Sequence, residues 1–115
     1  MTPESALACL EAGSRDAPTV VLLHGLGTSG WMWDRLVSAL GDDLHLVVVD
    51  LPGHGRSRTR PWVSLHDTAT AVADVVARHA AAGSAHLVGL SLGGYVAATL
   101  AAARPDLVPS ALSAG

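Results

Sequence analysis

Three short segments carry residue types whose spacing suits chemistry, and Gly89-Leu90-Ser91-Leu92-Gly93 is the most specific of them. This G-x-S-x-G pentapeptide sits between an apolar run and a helical pattern. A serine on a tight strand-to-helix turn is pushed out of the sheet with its hydroxyl exposed. The turn leaves no room for side chains two residues either side, hence Gly89 and Gly93. The helix start behind Ser91 adds backbone N–H groups that can stabilise a developing oxyanion. The bland alternative is a structural turn carrying an idle serine.

The second segment is His24-Gly25-Leu26-Gly27. Its small residues let the backbone approach a neighbouring turn. The N–H of Leu26 is therefore a candidate second oxyanion donor beside that of Leu92. For His24 the favoured reading is a buried imidazole bonded to backbone rather than a base. The third segment is Asp50-Leu51-Pro52-Gly53-His54-Gly55-Arg56-Ser57. Pro52 fixes a turn, Gly53 and Gly55 permit unusual backbone angles, and the whole reads as architecture. Arg56, Arg58 and Arg60 suit a solvated loop better than an anion site. A rival reading takes Gly25-Leu26-Gly27-Thr28-Ser29-Gly30 as a G-x-G-x-x-G dinucleotide fingerprint with Asp50 on a ribose hydroxyl. Trp31 and Trp33 crowd that helix start, Asp50 runs into a Pro-Gly turn, and the later G-x-S-x-G stays unexplained.

The elements that must position these residues alternate. Thr19–Leu23 and His45–Asp50 are short, continuous apolar runs, as expected of strands buried on both faces. Ala85–Leu90 is a third strand, Ser110–Ser113 begins a fourth, and Ser5–Glu11 is a candidate extra strand. Trp31–Leu40 reads as a helix with Trp33, Leu36, Val37 and Leu40 on one face and Gly41 as its stop. Ser64 opens the next helix, with Asp67 in the capping-box position. Ala69, Val72, Ala73, Val76 and Ala80 then recur at helical spacing up to Gly83. Leu92–Ala103 is a helix that stops at Arg104-Pro105. Strands alternating with helices imply a parallel sheet covered on both faces.

Composition bounds the function. The 115 residues fit one small domain, and 50% hydrophobic content excludes a disordered chain. A net charge of −3 and a pI near 6.0 argue against a nucleic-acid binder. No apolar run reaches the length of a membrane span, and Met1–Ala12, with Glu4 and Glu11, does not resemble a secretory signal. The expected location is the cytoplasm. The single cysteine, Cys9, excludes an internal disulfide or a Cys-rich zinc site and reads as a small strand residue. Lys, Ile, Asn, Gln and Phe are absent, so the core must rest on Val, Leu and Ala.

Taken together, HGLGTSGWMWDRL, DLPGHGRS and GLSLGG resemble the α/β-hydrolase family over about residues 18 to 114. The resemblance covers most of this chain but only the N-terminal portion of the family's domain. It implies a truncated, doubly wound parallel α/β sheet, with residues 1–115 forming a single partial domain. It implies hydrolysis of a carboxylic ester, thioester or lactone through an acyl-serine, with Ser91 as nucleophile and the Leu26 and Leu92 N–H groups as oxyanion donors. His24, Gly25, Gly27, Asp50, Gly53, Gly55, Gly89 and Gly93 take structural places in the motifs. No metal or organic cofactor is expected, and the expected partner is a small acyl substrate. A serine at position 91 argues against the dehalogenase and epoxide-hydrolase branches, which carry aspartate there.

The chain departs from the family in its missing partners. The family order is nucleophile, acid, histidine. After Ser91 this chain offers one acid, Asp106, and no histidine, the last being His86. Asp106 follows the helix-ending Pro105, at the far end of the strands. A serine without a base is a poor nucleophile at neutral pH. His24 and His54 are the histidines on the right side of the sheet, and neither is favoured as a substitute base. Little turnover is expected from the chain alone. Trp31, Trp33 and Trp62 suit an acyl pocket or ordinary packing equally well. The last strand should leave an exposed edge and an uncovered face, inviting self-association or a complementing chain.

Overall fold

A computed structural model describes residues 6–115. Within them the elements run β1 Cys9–Gly13, β2 Thr19–Leu23, α1 Asp34–Leu40, β3 His45–Val49, α2 Leu65–His79, β4 His86–Leu90, α3 Leu92–Ala103 and β5 Ala111–Ala114. The strands form one sheet in the order β1-β3-β2-β4-β5. Strands β2 to β5 are parallel, as the alternating pattern requires. Strand β1 is antiparallel to β3. The reason is connection length: only Ser14 to Pro18 separates β1 from β2, whereas a parallel return needs a crossover of a dozen or more residues. The extra strand expected over Ser5–Glu11 thus begins later, at Cys9, and Ser5 lies outside the described residues.

The continuous apolar runs behave as two-sided strands: every residue of β3 and all but Val20 of β2 are buried. One face carries Val21, Leu23, Val47, Val49 and Leu87 against Val72, Val76, Val96, Ala97 and Leu100 of α2 and α3. This is the main core, and each buried Val or Leu is worth about 1.5–3 kcal/mol. The other face is a register-aligned row, Leu10–Val48–Leu22–Val88–Leu112. Its centre is covered, but Leu10 is 53% and Leu112 62% exposed. Helix α1 has no fully buried residue.

The helix boundaries follow local chemistry. Trp31–Leu40 is not one helix: Gly30–Trp33 forms a 3-10 turn and α1 proper starts at Asp34. Gly41 ends it with φ −63°, an ordinary right-handed value rather than the left-handed cap expected of a glycine there. The Ser64 hydroxyl accepts from the Asp67 N–H at 2.9 Å, as a cap should. The Asp67 carboxylate turns instead to Arg60, 3.5 Å away. Helix α2 ends at His79, and Gly83, at φ +79°, makes the turn that follows.

A relay of side chains fastens the edge strand β1. Cys9 Sγ lies 3.2 Å from His79 Nε2, and His79 Nδ1 lies 2.8 Å from Glu11 Oε2. Glu11 Oε1 is 2.6 Å from His45 Nε2, and His45 Nδ1 meets Thr19 Oγ1 at 2.8 Å. Cys9 is the half-buried strand residue expected, and burial pushes its thiol pKa up. Burial works against ionisation of Glu11, but the hydrogen bonds from His79 and His45 outweigh it and hold its carboxyl below the usual value. A depressed carboxyl stabilises the fold above its unfolded pKa, near 4.5, and loses that contribution as pH falls through the lower folded value. Glu11→Gln should therefore lower unfolding stability by about 1–2 kcal/mol at neutral pH. In urea titrations at several pH values the gap between the two proteins should close on the acid side of the carboxylate range. A gap that persists unchanged in acid would contradict the ionic role.

Candidate active site

Ser91 joins β4 to α3 with φ 53° and ψ −111°, and it is the only non-glycine with positive φ among the described residues. Its side chain is exposed. The surrounding backbone explains why. A Cβ on Gly89 would overlap the Gly93 carbonyl, and one on Gly93 would overlap the Leu23 carbonyl and come within 2.6 Å of the His24 oxygen. The start of α3 is thus pressed onto the end of β2, and the chain can turn between strand and helix only through a left-handed residue. A Cβ on Gly94 would likewise overlap Ser113 of β5. The Ser91 N–H donates to the Ala114 carbonyl at 2.7 Å, so β5 also holds the turn.

The second motif lies beside this turn. A Cβ on Gly25 would sit 3.7 Å from the Ser91 Cβ, which puts the loop after β2 in van der Waals range of the candidate nucleophile. Leu26, next along, is 74% exposed. Leu92 is the first residue of α3, where an N–H has no intrahelical acceptor. These loops leave the carboxyl ends of β2 and β4, where the chain order reverses across the sheet, the usual ligand position of open α/β sheets.

The third motif is bound to the second by side chains that capture backbone N–H groups. Asp50 Oδ1 accepts from Gly30 at 2.7 Å and Oδ2 from Arg56 at 2.9 Å. Both oxygens of the carboxylate assigned to a ribose in the rival reading are therefore engaged by the protein itself. Gly55, at φ +48°, has that carboxylate where its Cβ would be. Gly53, at φ +80°, shapes the turn after Pro52.

His24 is fully buried. Its Nε2 accepts from the Leu51 N–H at 2.9 Å, so the proton sits on Nδ1, which donates to the Gly25 carbonyl at 2.7 Å. Burial pushes its pKa down, against the pull of the Gly25 bond, so the ring is neutral. His54 repeats the pattern: Nε2 accepts from Gly27 at 3.0 Å and Nδ1 donates to the Pro52 carbonyl at 2.9 Å. Neither ring has a nitrogen left for the Ser91 proton. Asp106 is exposed and paired with Arg104 at 2.9 and 3.0 Å, beyond the far end of α3. The Arg104 bonds hold its carboxyl below the usual range.

A cleft of about 620 Å³ opens between β1, β3 and the 3-10 turn, bordered by Leu10, Trp31, Val37, Val48, Arg56 and Arg58. Ser91 is not among its walls, so the cleft that Trp31 borders is not at the serine. Trp62 is 40% exposed on its loop. Among the described residues no three His, Cys, Asp or Glu side chains converge as a metal-ligand set. No described helix is long and apolar enough to cross a membrane. Sequence reasoning missed the contacts of Ser113 and Ala114 with the serine turn and the backbone bond made by His54.

A mostly parallel five-stranded sheet with helices between its parallel strands has the architecture of the α/β-hydrolase fold. The family model for the alpha/beta hydrolase fold matches residues 18–115, and the chain belongs to that family. It is 39% identical over 109 residues to an esterase of Mycobacterium tuberculosis, covering 90% of this chain and 34% of that protein. It is 42% identical over 93 residues to a pimeloyl-[acyl-carrier protein] methyl ester esterase of Methylococcus capsulatus, covering 81% of this chain and 35% of the relative. Among solved structures, a bacterial membrane phospholipase A matches 93% of this chain and 35% of its own with a TM-score of 0.84 and 36% identity. The chain therefore spans about a third of the length of each of these proteins.

A side chain in this left-handed conformation costs on the order of 1 kcal/mol, which glycine does not incur. Ser91→Gly should stabilise the chain by about that amount. The denaturant midpoint should rise with an unchanged slope; a midpoint that falls would show the turn to be unstrained.

Proposed function

We propose that this chain is the nucleophile-bearing part of a serine hydrolase acting on a carboxylic ester, thioester or lactone. The observation that carries the reading is the exposed Ser91 hydroxyl on a left-handed turn with the N-terminus of α3 behind it. In the proposed reaction Ser91 Oγ attacks the acyl carbon and the carbonyl π electrons move to oxygen. The Leu26 and Leu92 N–H groups stabilise that oxyanion; its collapse breaks the acyl C–O or C–S bond, and the leaving alcohol or thiol, or the tethered hydroxyl of a lactone, takes the proton that Ser91 gave up. Water then releases the acid from the acyl-serine. The esterases among the relatives support the ester class, and the serine itself supports a nucleophilic route. The proton needs a base, and His24 and His54 are both committed to backbone. No histidine follows Ser91 in these residues.

A fluorophosphonate probe tests the nucleophile. The chain should take up one label at Ser91, slowly, and Ser91→Ala should take up none. Hydrolysis of a short-chain aryl ester by the 115 residues alone should remain at least about a thousandfold below that of a complete serine esterase, as base-free serine enzymes do. A label elsewhere in the chain, or none, would refute the assignment of Ser91.

A second reading, of a subunit that needs a complementing strand, is favoured by β5. All four of its residues are exposed, and its outer edge carries unpaired backbone groups. Sedimentation of the purified chain should show dimers or larger species. A stable monomer over the micromolar range would argue against this reading.

A further inference from the structure

We propose that His54 is a positioning residue for the loop that carries Leu26, and that it acts only as a neutral imidazole. The functional consequence rests on the hydrolase reading above; the clamp itself does not. His54 Nε2 accepts from the Gly27 N–H at 3.0 Å while Nδ1 donates to the Pro52 carbonyl at 2.9 Å. The Gly27 N–H belongs to the peptide plane immediately after Leu26, whose own N–H is the candidate oxyanion donor. Gly27 has φ +80° and nothing within 4 Å of the place its Cβ would occupy, so side-chain packing does not hold it. That plane lies within the turn closed by the Thr28 N–H on the Gly25 carbonyl at 3.3 Å, and the His54 nitrogen is the acceptor that fixes its N–H.

An imidazolium has two N–H donors and no acceptor. Protonating His54 at Nε2 would set an N–H against the Gly27 N–H, and the clamp would open. His24 cannot act in this way so readily, because it is fully buried, whereas His54 is half-buried and within reach of solvent. The ionisable groups around the clamp are few. Residues 25 to 30 carry none. His24 lies with its ring centroid 5.0 Å from that of His54. Asp50 is bonded to the Gly30 and Arg56 N–H groups, and Arg56 and Arg58 lie on the same loop as His54. Imidazole is the side chain whose charge ordinarily changes between about pH 5 and 8. The clamp thus holds while His54 is neutral and opens when the ring is protonated.

Solvent-exchange NMR of the Gly27 amide in the full chain tests this, with each rate divided by that of an unstructured peptide at the same pH. The Leu22 and Val48 amides, in the sheet centre, report whether the fold is intact. In the wild type, Gly27 should be at least about tenfold less protected near pH 5 than near pH 8, while Leu22 and Val48 keep their protection. His54→Gln, whose amide oxygen accepts without titrating, should keep Gly27 protected at both pH values. His54→Phe, which keeps a ring but no acceptor, should lose the protection at both. Equal protection of Gly27 at the two pH values in the wild type would overturn the proposal, as would undiminished protection in His54→Phe. Should the sheet amides open in acid, the comparison of wild type with His54→Phe near pH 8 decides alone. Should His54→Phe fail to fold, the wild-type pair decides. Fluorophosphonate labelling is read separately, so a clamp that titrates beside an unlabelled Ser91 would remove the hydrolase reading and leave the clamp standing.

Discussion

Everything near the candidate nucleophile follows from one close approach, the contact between the first turn of α3 and the last residues of β2. Gly93 rests on the Leu23 and His24 carbonyls, and Gly89 on the Gly93 carbonyl. With side chains excluded at both places, helix and strand meet backbone to backbone. The residue between them must then reverse direction within one step, and Ser91 does so at φ 53°. Exposure of its hydroxyl and the nearness of Gly25 are consequences of that packing. Strain at this point is tolerated because the core around it over-determines the geometry: Leu23 and Val96 are fully buried on either side of the contact.

The remainder of the site is held by side chains that take up backbone N–H groups. Four such bonds join or brace the loops after β2 and β3: Gly27 to His54, Gly30 and Arg56 to Asp50, and Leu51 to His24. Loops lack ladder partners, and a buried N–H without an acceptor is costly. Here one aspartate and two histidines supply the acceptors. These side-chain acceptors take the place that ladder partners hold within the sheet.

Most of the architecture was legible in the sequence because its signals are local. Val and Leu runs of five residues are strands buried on both faces, Ser64 caps α2, and Pro105 closes α3 where the pattern says it should. The serine turn was legible because steric exclusion shows directly as glycine. What was not legible depends on partners distant in the chain. The direction of β1 depends on a connection length and on β3, which lies more than thirty residues further along. The 3-10 turn that replaces the start of the first helix begins at Gly30, whose N–H is held by Asp50, twenty residues further along. His54 was readable as a loop histidine, but no local pattern tells which backbone group its ring will meet. The same holds for Glu11, whose two imidazole partners come from β3 and α2.

The strand order also has a consequence in time. The two outer strands of the sheet, β1 and β5, are the first and last described strands in the chain, while β2 lies at its centre. A chain growing from its N-terminus produces β1 well before β3, the only strand it can pair with. Until β3 emerges, Cys9–Gly13 carries unpaired backbone groups, because the next strand in the chain, β2, is not its neighbour in the sheet. The pairs of consecutive strands, β2–β3 and β4–β5, are both parallel and joined through crossovers, a non-local pairing that is intrinsically slow. In the interval before β3 emerges, Cys9–Gly13 is free to pair with another chain instead.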